Sequence, residues 1–562
     1  MNPIDWEKIR RRSHERPWLV YREATLGFAE HLLTSPPPRI DEARHNWVLE
    51  QARVSGKYIV TLAGAYRLTD DRRFAERAWF FFADTLAWPH WFWLGDPRTQ
   101  GFALSTGELA ITCVFLQDWL KDWLSADQRA ALDGAIRERV FLPYLEVTAP
   151  GREVVWYRDT INWNAVCNGA MLALAMQRAD RDELSPQVIA RAETGLHYYL
   201  TALNADGSLP ESIGYWQYGI VHLAYALLAF ERYSGREHPV LAGSALNAGL
   251  SFPFDFTPEG GAAVGFGDCN FFLPQGFLFA LAARAGRDDV TAELHRRTSR
   301  YLTGRTPADF NPFEDYHPTE IFSLVYSGDT HNLAWPRPAA KIYPDVGWGV
   351  FTAGSLTLGF RAGTTDVSHS MRDLCAINLA HGGTALFEYV ENLPYCRGWF
   401  NYAIPRGTAR ELFFEDNSTS KNTLLVNGIG QIVRAASQWG AEDSAMWCDA
   451  TASYPWFVKR VRRRIETAED GFLLTDEIET DAECWHEARF FTSGEFTDLG
   501  NGRIRVTKAG RSAELLVTAK VPMQFSVDQA VASIPGKPSY RLLRIANLRP
   551  AKSSRWQIRI SG

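Results

Sequence analysis

The stretch HNLAWPRPAAKIYPD, residues 331–345, decides how this chain is read. Its three prolines, Pro336, Pro338 and Pro344, break helical and extended periods alike. On its N-terminal side, from 40 to about 325, apolar residues recur every three or four positions. ARHNWVLEQARVSGKYIVTLAGAYRLT (43–69), RRFAERAWFFFADTLAW (72–88), LSTGELAITCVFLQDWLKDWL (104–124) and SADQRAALDGAIRERVFLPYLE (125–146) begin a series of roughly a dozen helices. Ser125 followed by Gln128 has the shape of a capping box. No repeat of fixed length is visible, so tetratricopeptide-type arrays are excluded and stacked helical hairpins are expected. On the C-terminal side the period drops to two. VGWGVFTAGSLTLGFRAG (346–363), WFVKRVRRRIETAEDGFLLTDEIET (456–480) and RIRVTKAGRSAELLVTAK (503–520) are β-branched and aromatic runs between Gly, Asn and Asp turns. The spacing predicts a helical domain over 1–335 and an antiparallel β-sandwich over 336–562.

Composition narrows the function. A net charge of −6 over 562 residues offers no basic stripe for nucleic acid. No run approaches the length of a membrane span, and MNPIDWEKIRRRSHERPW carries no apolar leader. Seven scattered cysteines, odd in number and without a CxxC pair, suit free thiols in a reducing compartment. A cytoplasmic location is therefore expected. The 20 Trp, 20 Tyr and 33 Phe can fill a large core, and Tyr and Trp can also wall a sugar site.

Four segments carry chemistry. INWNAVCNGA (161–170) sets Asn162, Asn164 and Asn168 along a helix, as caps or as amide donors to an anionic oxygen. DGSLPESIGYWQYG (206–219) follows a turn with Glu211, Tyr215 and Tyr218, the tyrosines three apart on one helical face. A tyrosine in a cleft can move protons if neighbours lower its pKa from about 10. DVSHSMRDLCAINLAHGGTALFEYVEN (366–392) supplies His369, Arg372, Asp373 and His381. YCRGWFNYAIPRGTARELFFEDNSTSKNTLLVNGIGQ (395–431) supplies Arg397, Arg406, Arg410 and Lys421 among aromatics, a solvated face or a reader of carboxylates and sulfates.

In this order, NWNxVCN, DGxxPExxxYWxYG, HSxxDxxxxxLxxxG and SxxNTLLVNGxGQ, the segments resemble the heparinase II/III-like superfamily of polysaccharide lyases. The resemblance covers nearly the whole chain. It implies an incomplete (α/α) toroid followed by an antiparallel β-sandwich, and cleavage of a uronate-containing glycan by β-elimination. It carries carboxylate neutralisation onto Asn162, proton transfer onto Tyr215 or Tyr218, and a second base or charge-stabilising group onto His369. Asn164, Glu211, Tyr218, Arg372, Arg406, Arg410 and Lys421 become the expected contacts to an anionic oligosaccharide. Many relatives place a second histidine where this chain has Met371, and another where it has Lys421, with Glu388 at the later acidic position. Methionine and lysine cannot rebuild a zinc tetrahedron, so no metal and no other cofactor is expected. Two alternatives remain open: a toroid glycoside hydrolase using carboxylates among Glu108, Glu211 and Asp268, and an inactive glycan-binding protein.

Overall fold

The computed structural model describes all residues except 1–3, 45, 93–100, 259, 260, 262, 269, 312–314, 391–408 and 531–537. The chain forms two compact units. One comprises Met1–Leu203, Gln217–Leu250 and Leu273–Trp335. The other comprises Asn204–Trp216, Ser251–Phe272 and Pro336–Gly562. The helical half of the sequence therefore lends two segments to the β-rich unit.

The first unit is built of helices. Trp47–Thr69 packs against Arg72–Leu86 and Leu104–Trp119; the latter packs against Asn162–Gln177, which packs against Ser185–Ala202. Thr319–Tyr326 returns to Trp18–Leu32 and Trp47–Thr69, closing the series on its own beginning as a toroid does. Local signals start these helices. The side chain of Asp71 accepts from the Arg73 N–H, and Ser125 with Gln128 makes the expected reciprocal capping box. HPVLAGSALNAGLSF (238–252) is helical in two pieces, broken at Gly243, whose ψ of 146° is extended.

In the second unit, strands Ala340–Tyr343, Trp348–Ala353, Leu356–Arg361, Ile377–His381 and Thr384–Phe387 form a five-stranded antiparallel sheet in chain order. An eight-stranded sheet is organised around the hairpin Val458–Ala468/Gly471–Cys484 with the last strand, Ala551–Ser561, alongside. A four-stranded sheet completes the unit. Its inward residues interdigitate in one core, among them Phe351, Leu358 and Leu379 of the first sheet, Ile465, Leu474 and Ile558 of the second, and Phe490 and Ile545 of the third. The segment Ser251–Phe272 joins this unit through aromatic packing of Phe252 and Phe256 on Trp348 and through the Tyr343 hydroxyl, which donates to Asp255 at 2.6 Å. Gly359 permits the approach, since a Cβ there would lie 1.9 Å from the Val264 carbonyl oxygen.

One inward position of Val458–Ala468 is charged. Arg463 alternates with Val461 and Ile465, stands opposite Asp476 in the register, and is 0% exposed, as is Asp476. The two join through paired bonds of 2.6 and 2.9 Å, and Arg463 Nη1 donates to the carbonyls of Cys375 and Asn422 at 3.0 Å each. The described cysteines, Cys113, Cys167, Cys375, Cys448 and Cys484, are free and buried. No helix among the described residues is long and apolar enough to cross a membrane.

Each unit holds a histidine that burial keeps neutral. His295 lies between the Tyr21 hydroxyl, 2.8 Å from Nδ1, and the Gly328 carbonyl, 2.9 Å from Nε2. His486 lies between the hydroxyls of Ser554 and Thr480. Loss of solvent pushes both from 6.5 down to about 4. The unfolded chain protonates first as the pH falls. Stability from these residues is therefore complete above about 6.5 and is lost progressively toward pH 4, by roughly 3 kcal/mol each. Melting temperature measured by calorimetry is expected to decline across this window; a flat profile between pH 6.5 and 4 would contradict the assignment.

Candidate active site

Three segments of the second unit converge on one imidazole. The first is Asn204–Trp216. Asp206 accepts from the Ser208 N–H at 2.9 Å, making the turn, and Trp216 Nε1 donates back to the Gly207 carbonyl at 2.9 Å. The turn leads into Glu211, 3% exposed, and Ser212, whose φ is 137°. The helix Ile213–Ser234 then begins, with Tyr215 in its first turn.

The second segment, Ser251–Phe272, brings Asp268. Gly267, at φ 88°, is wedged here, because a Cβ would lie 3.0 Å from the Glu211 carbonyl oxygen and 3.1 Å from that of His369. The Asp268 N–H donates to the His369 carbonyl at 3.1 Å.

The third segment carries His369 itself, at φ 57°, a left-handed conformation unusual for a residue with a Cβ. Two buried arginines fix the loop around it. Arg361 Nη2 donates to the Thr364 carbonyl at 2.7 Å and to Ser370 Oγ at 3.1 Å. Arg434 donates to the carbonyls of Val367 and Ser370 at 2.9 and 3.1 Å. Strain of this kind persists only where surroundings enforce it, and it is concentrated at working sites.

The ring of His369 is thereby aimed. Nδ1 lies 2.9 Å from Asp268 Oδ2, and Nε2 lies 3.8 Å from Glu211 Oε1. A carboxylate oxygen only accepts, so Nδ1 carries a hydrogen and Nε2 is turned toward Glu211. Tyr215 stacks on the ring with centroids 3.7 Å apart and planes 19° apart. An oriented imidazole with a phenol against its face can take up and deliver protons at neighbouring atoms.

Of the residues expected from the sequence, Glu211, Tyr215 and His369 meet here. Arg372 lies in the same unit, but its Nε pairs with Glu411 at 2.7 Å, and Arg434 holds the other oxygen of that carboxylate. Lys421, expected to contact substrate, is 0% exposed and donates to the Glu415 carbonyl at 2.7 Å, with its ammonium over the Tyr389 ring. Met371, where relatives carry histidine, is also fully buried. Arg406 lies outside the described residues, as does the side chain of Arg410.

The remaining expected residues belong to the first unit. Asn162 opens the helix Asn162–Gln177 and is 1% exposed. Asn164 is 0% exposed, and its amide nitrogen donates to the carbonyls of Tyr157 and Gly195 at 2.9 Å each, which makes it a brace between segments. Tyr218 gives its hydroxyl hydrogen to Glu108 at 2.7 Å. Burial foremost, then the Glu108 carboxylate, pushes that phenol far above its ordinary range despite Arg53, so it cannot serve as a base near neutrality. Asp268 entered the sequence reading only as a possible hydrolase carboxylate. Its partnership with His369, 101 positions away, has no local signature.

No family model and no curated protein matches this chain. Solved structures do resemble it. Heparinase III is 14% identical, with a TM-score of 0.66 over 99% of this chain and 91% of that one. Heparan sulfate lyase from Pedobacter heparinus is 12% identical, with a TM-score of 0.58 over 99% and 87%. Chondroitin AC lyase from Streptomyces coelicolor A3, solved with chondroitin sulphate, is 12% identical with a TM-score of 0.58 over 99% and 83%. At these identities the likeness establishes a common fold, a helical toroid followed by antiparallel sheets.

Proposed function

We propose that this chain is a lyase that cleaves a uronate-containing oligosaccharide by β-elimination. The observation that carries the reading is the oriented pair, His369 fixed by Asp268 and stacked on Tyr215. Elimination needs the C5 proton removed, the leaving O4 protonated and the charge on the C5 carboxylate stabilised. Tyr215 is assigned the proton transfer. His369 takes the second base or charge-stabilising role through Nε2, and Asp268 holds its tautomer. Asn162 keeps the neutralising role that the sequence resemblance suggests. The electron pair of the C5–H bond becomes the C4=C5 π bond, and the pair of the C4–O4 bond leaves with O4, which takes up a proton.

The hydrolase alternative fits less well. A glycosidase acid must hold a proton at working pH. Burial alone would raise the Glu108 pKa, but the His222 ring and the Arg53 guanidinium outweigh it and keep that carboxylate well below its usual range. Asp268 and Glu211 both face the imidazole.

The test is incubation with alginate, heparinoid, hyaluronan, glucuronan and pectic oligomers, followed by ultraviolet absorbance of the unsaturated product. Absorbance growth with at least one acid oligomer is expected. Reducing-end release without it would favour hydrolysis, and silence across the panel would overturn the lyase reading.

A further inference from the structure

The first unit contains a second constellation that the proposed proton-transfer chemistry does not use. Arg53, on the helix Trp47–Thr69, places its guanidinium carbon 4.6 Å from the Tyr218 ring centre and 4.2 Å from that of Tyr316. The rings are 6.5 Å apart and set at 87°, so the guanidinium lies in a corner of two aromatic walls. Its Nε is anchored on Glu108 Oε1 at 3.0 Å. The same oxygen receives the Tyr218 hydroxyl, and His222 Nε2 stands 3.5 Å from Oε2.

Two consequences follow. The Glu108 carboxylate engages Arg53 through Nε and also accepts from Tyr218, so the pairing leaves both Nη groups of the guanidinium outside it. And among the described residues neither Nη of Arg53 has a hydrogen-bond partner, although the side chain is only 17% exposed. Two coplanar amino groups, held by rings and by Nε, form a fork that matches an anion with two oxygens at the right spacing. Because the fork is already immobilised, little rotamer entropy is lost on binding.

We infer that Arg53 is an oxyanion-binding residue that takes the acid group of a sugar, a carboxylate or a sulfate ester. That the anion is borne by a sugar rests on the proposed function; the preference for an oxyanion does not.

The experiment is a ligand-observed NMR titration of the intact chain with glucuronate, glucose 6-sulfate and glucose. None has a glycosidic bond to break, so the outcome is independent of turnover. Wild-type protein is expected to bind at least one acidic sugar about tenfold or more tightly than glucose. Preference for glucuronate identifies a carboxylate site, and preference for glucose 6-sulfate a sulfate site; either supports the inference. Arg53→Lys, which keeps the charge and loses the fork, is expected to weaken that acid about tenfold. Arg53→Met with Glu108→Gln, which leaves no buried carboxylate unpaired, is expected to abolish the preference. Binding of the acids no tighter than glucose, or acid binding unchanged in either folded variant, would overturn it.

Discussion

Replacing Tyr215 by phenylalanine is expected to lower kcat on the best oligosaccharide of the panel by about 10²–10⁴-fold, the usual yield of a positioned proton-transfer group. The change removes one oxygen and keeps the ring. The stack on His369, with centroids 3.7 Å apart, should therefore persist, and with it the fold. KM and melting temperature are expected to change little, which separates lost chemistry from lost structure. Tyr218→Phe should behave differently. Its hydroxyl is committed to Glu108 within the first unit, so this change is expected to cost stability more than turnover. Steady-state kinetics on both variants decides the point. A Tyr215→Phe enzyme within tenfold of wild type would remove Tyr215 from the proposed mechanism.

The largest stability effect is expected from Asp476→Ala. That change leaves the Arg463 guanidinium, 0% exposed, without its carboxylate in the middle of a sheet-packed core. Breaking a buried pair from one side costs roughly 3–5 kcal/mol. For a unit of this size the cost corresponds to a fall in Tm of roughly 6–20 °C. The two backbone acceptors of Arg463, at Cys375 and Asn422, are retained in the variant but cannot replace a charge. Removing both partners, as Arg463→Met with Asp476→Leu, is expected to recover much of the loss, because no charge then remains buried. Scanning calorimetry of the two variants measures the difference. Equal melting temperatures for Asp476→Ala and wild type would show that water reaches the pair.

Much of the fold was legible because its signals are local. Pro336 and Pro338 precede the first strand, Ala340–Tyr343, Pro344 follows it, and Ser125 with Gln128 caps a helix as its spacing foretold. What stayed hidden depends on distance along the chain. RVRRRIET reads as an alternating solvated stripe, and nothing local says that Arg463 points inward while Arg462 and Arg464 do not. Lys421 reads as a surface cation and proves buried, since its carbonyl partner and the ring beneath it come from a folded neighbourhood. The hairpin Gln438–Glu442/Ala445–Asp449 also went unrecognised, its Gly and charged residues masking the alternation. At the candidate site, three of the residues that meet, Glu211, Tyr215 and His369, were visible in the sequence. The partner that orients the histidine was not, because one tertiary hydrogen bond leaves no periodic trace.

The membership of Asn204–Trp216 and Ser251–Phe272 in the β-rich unit bears on how such a chain can diversify. The proline-rich joint looks like a natural crossover point for exchanging modules between genes. A crossover there would deliver His369 to a new host without Glu211, Tyr215 and Asp268, which are encoded 101 or more positions upstream. Glu211, Tyr215, Asp268 and His369 meet only when both sides of the joint come from one gene. New specificities in this lineage are expected to arise by substitution within an intact pair of units and not by recombination at their linker.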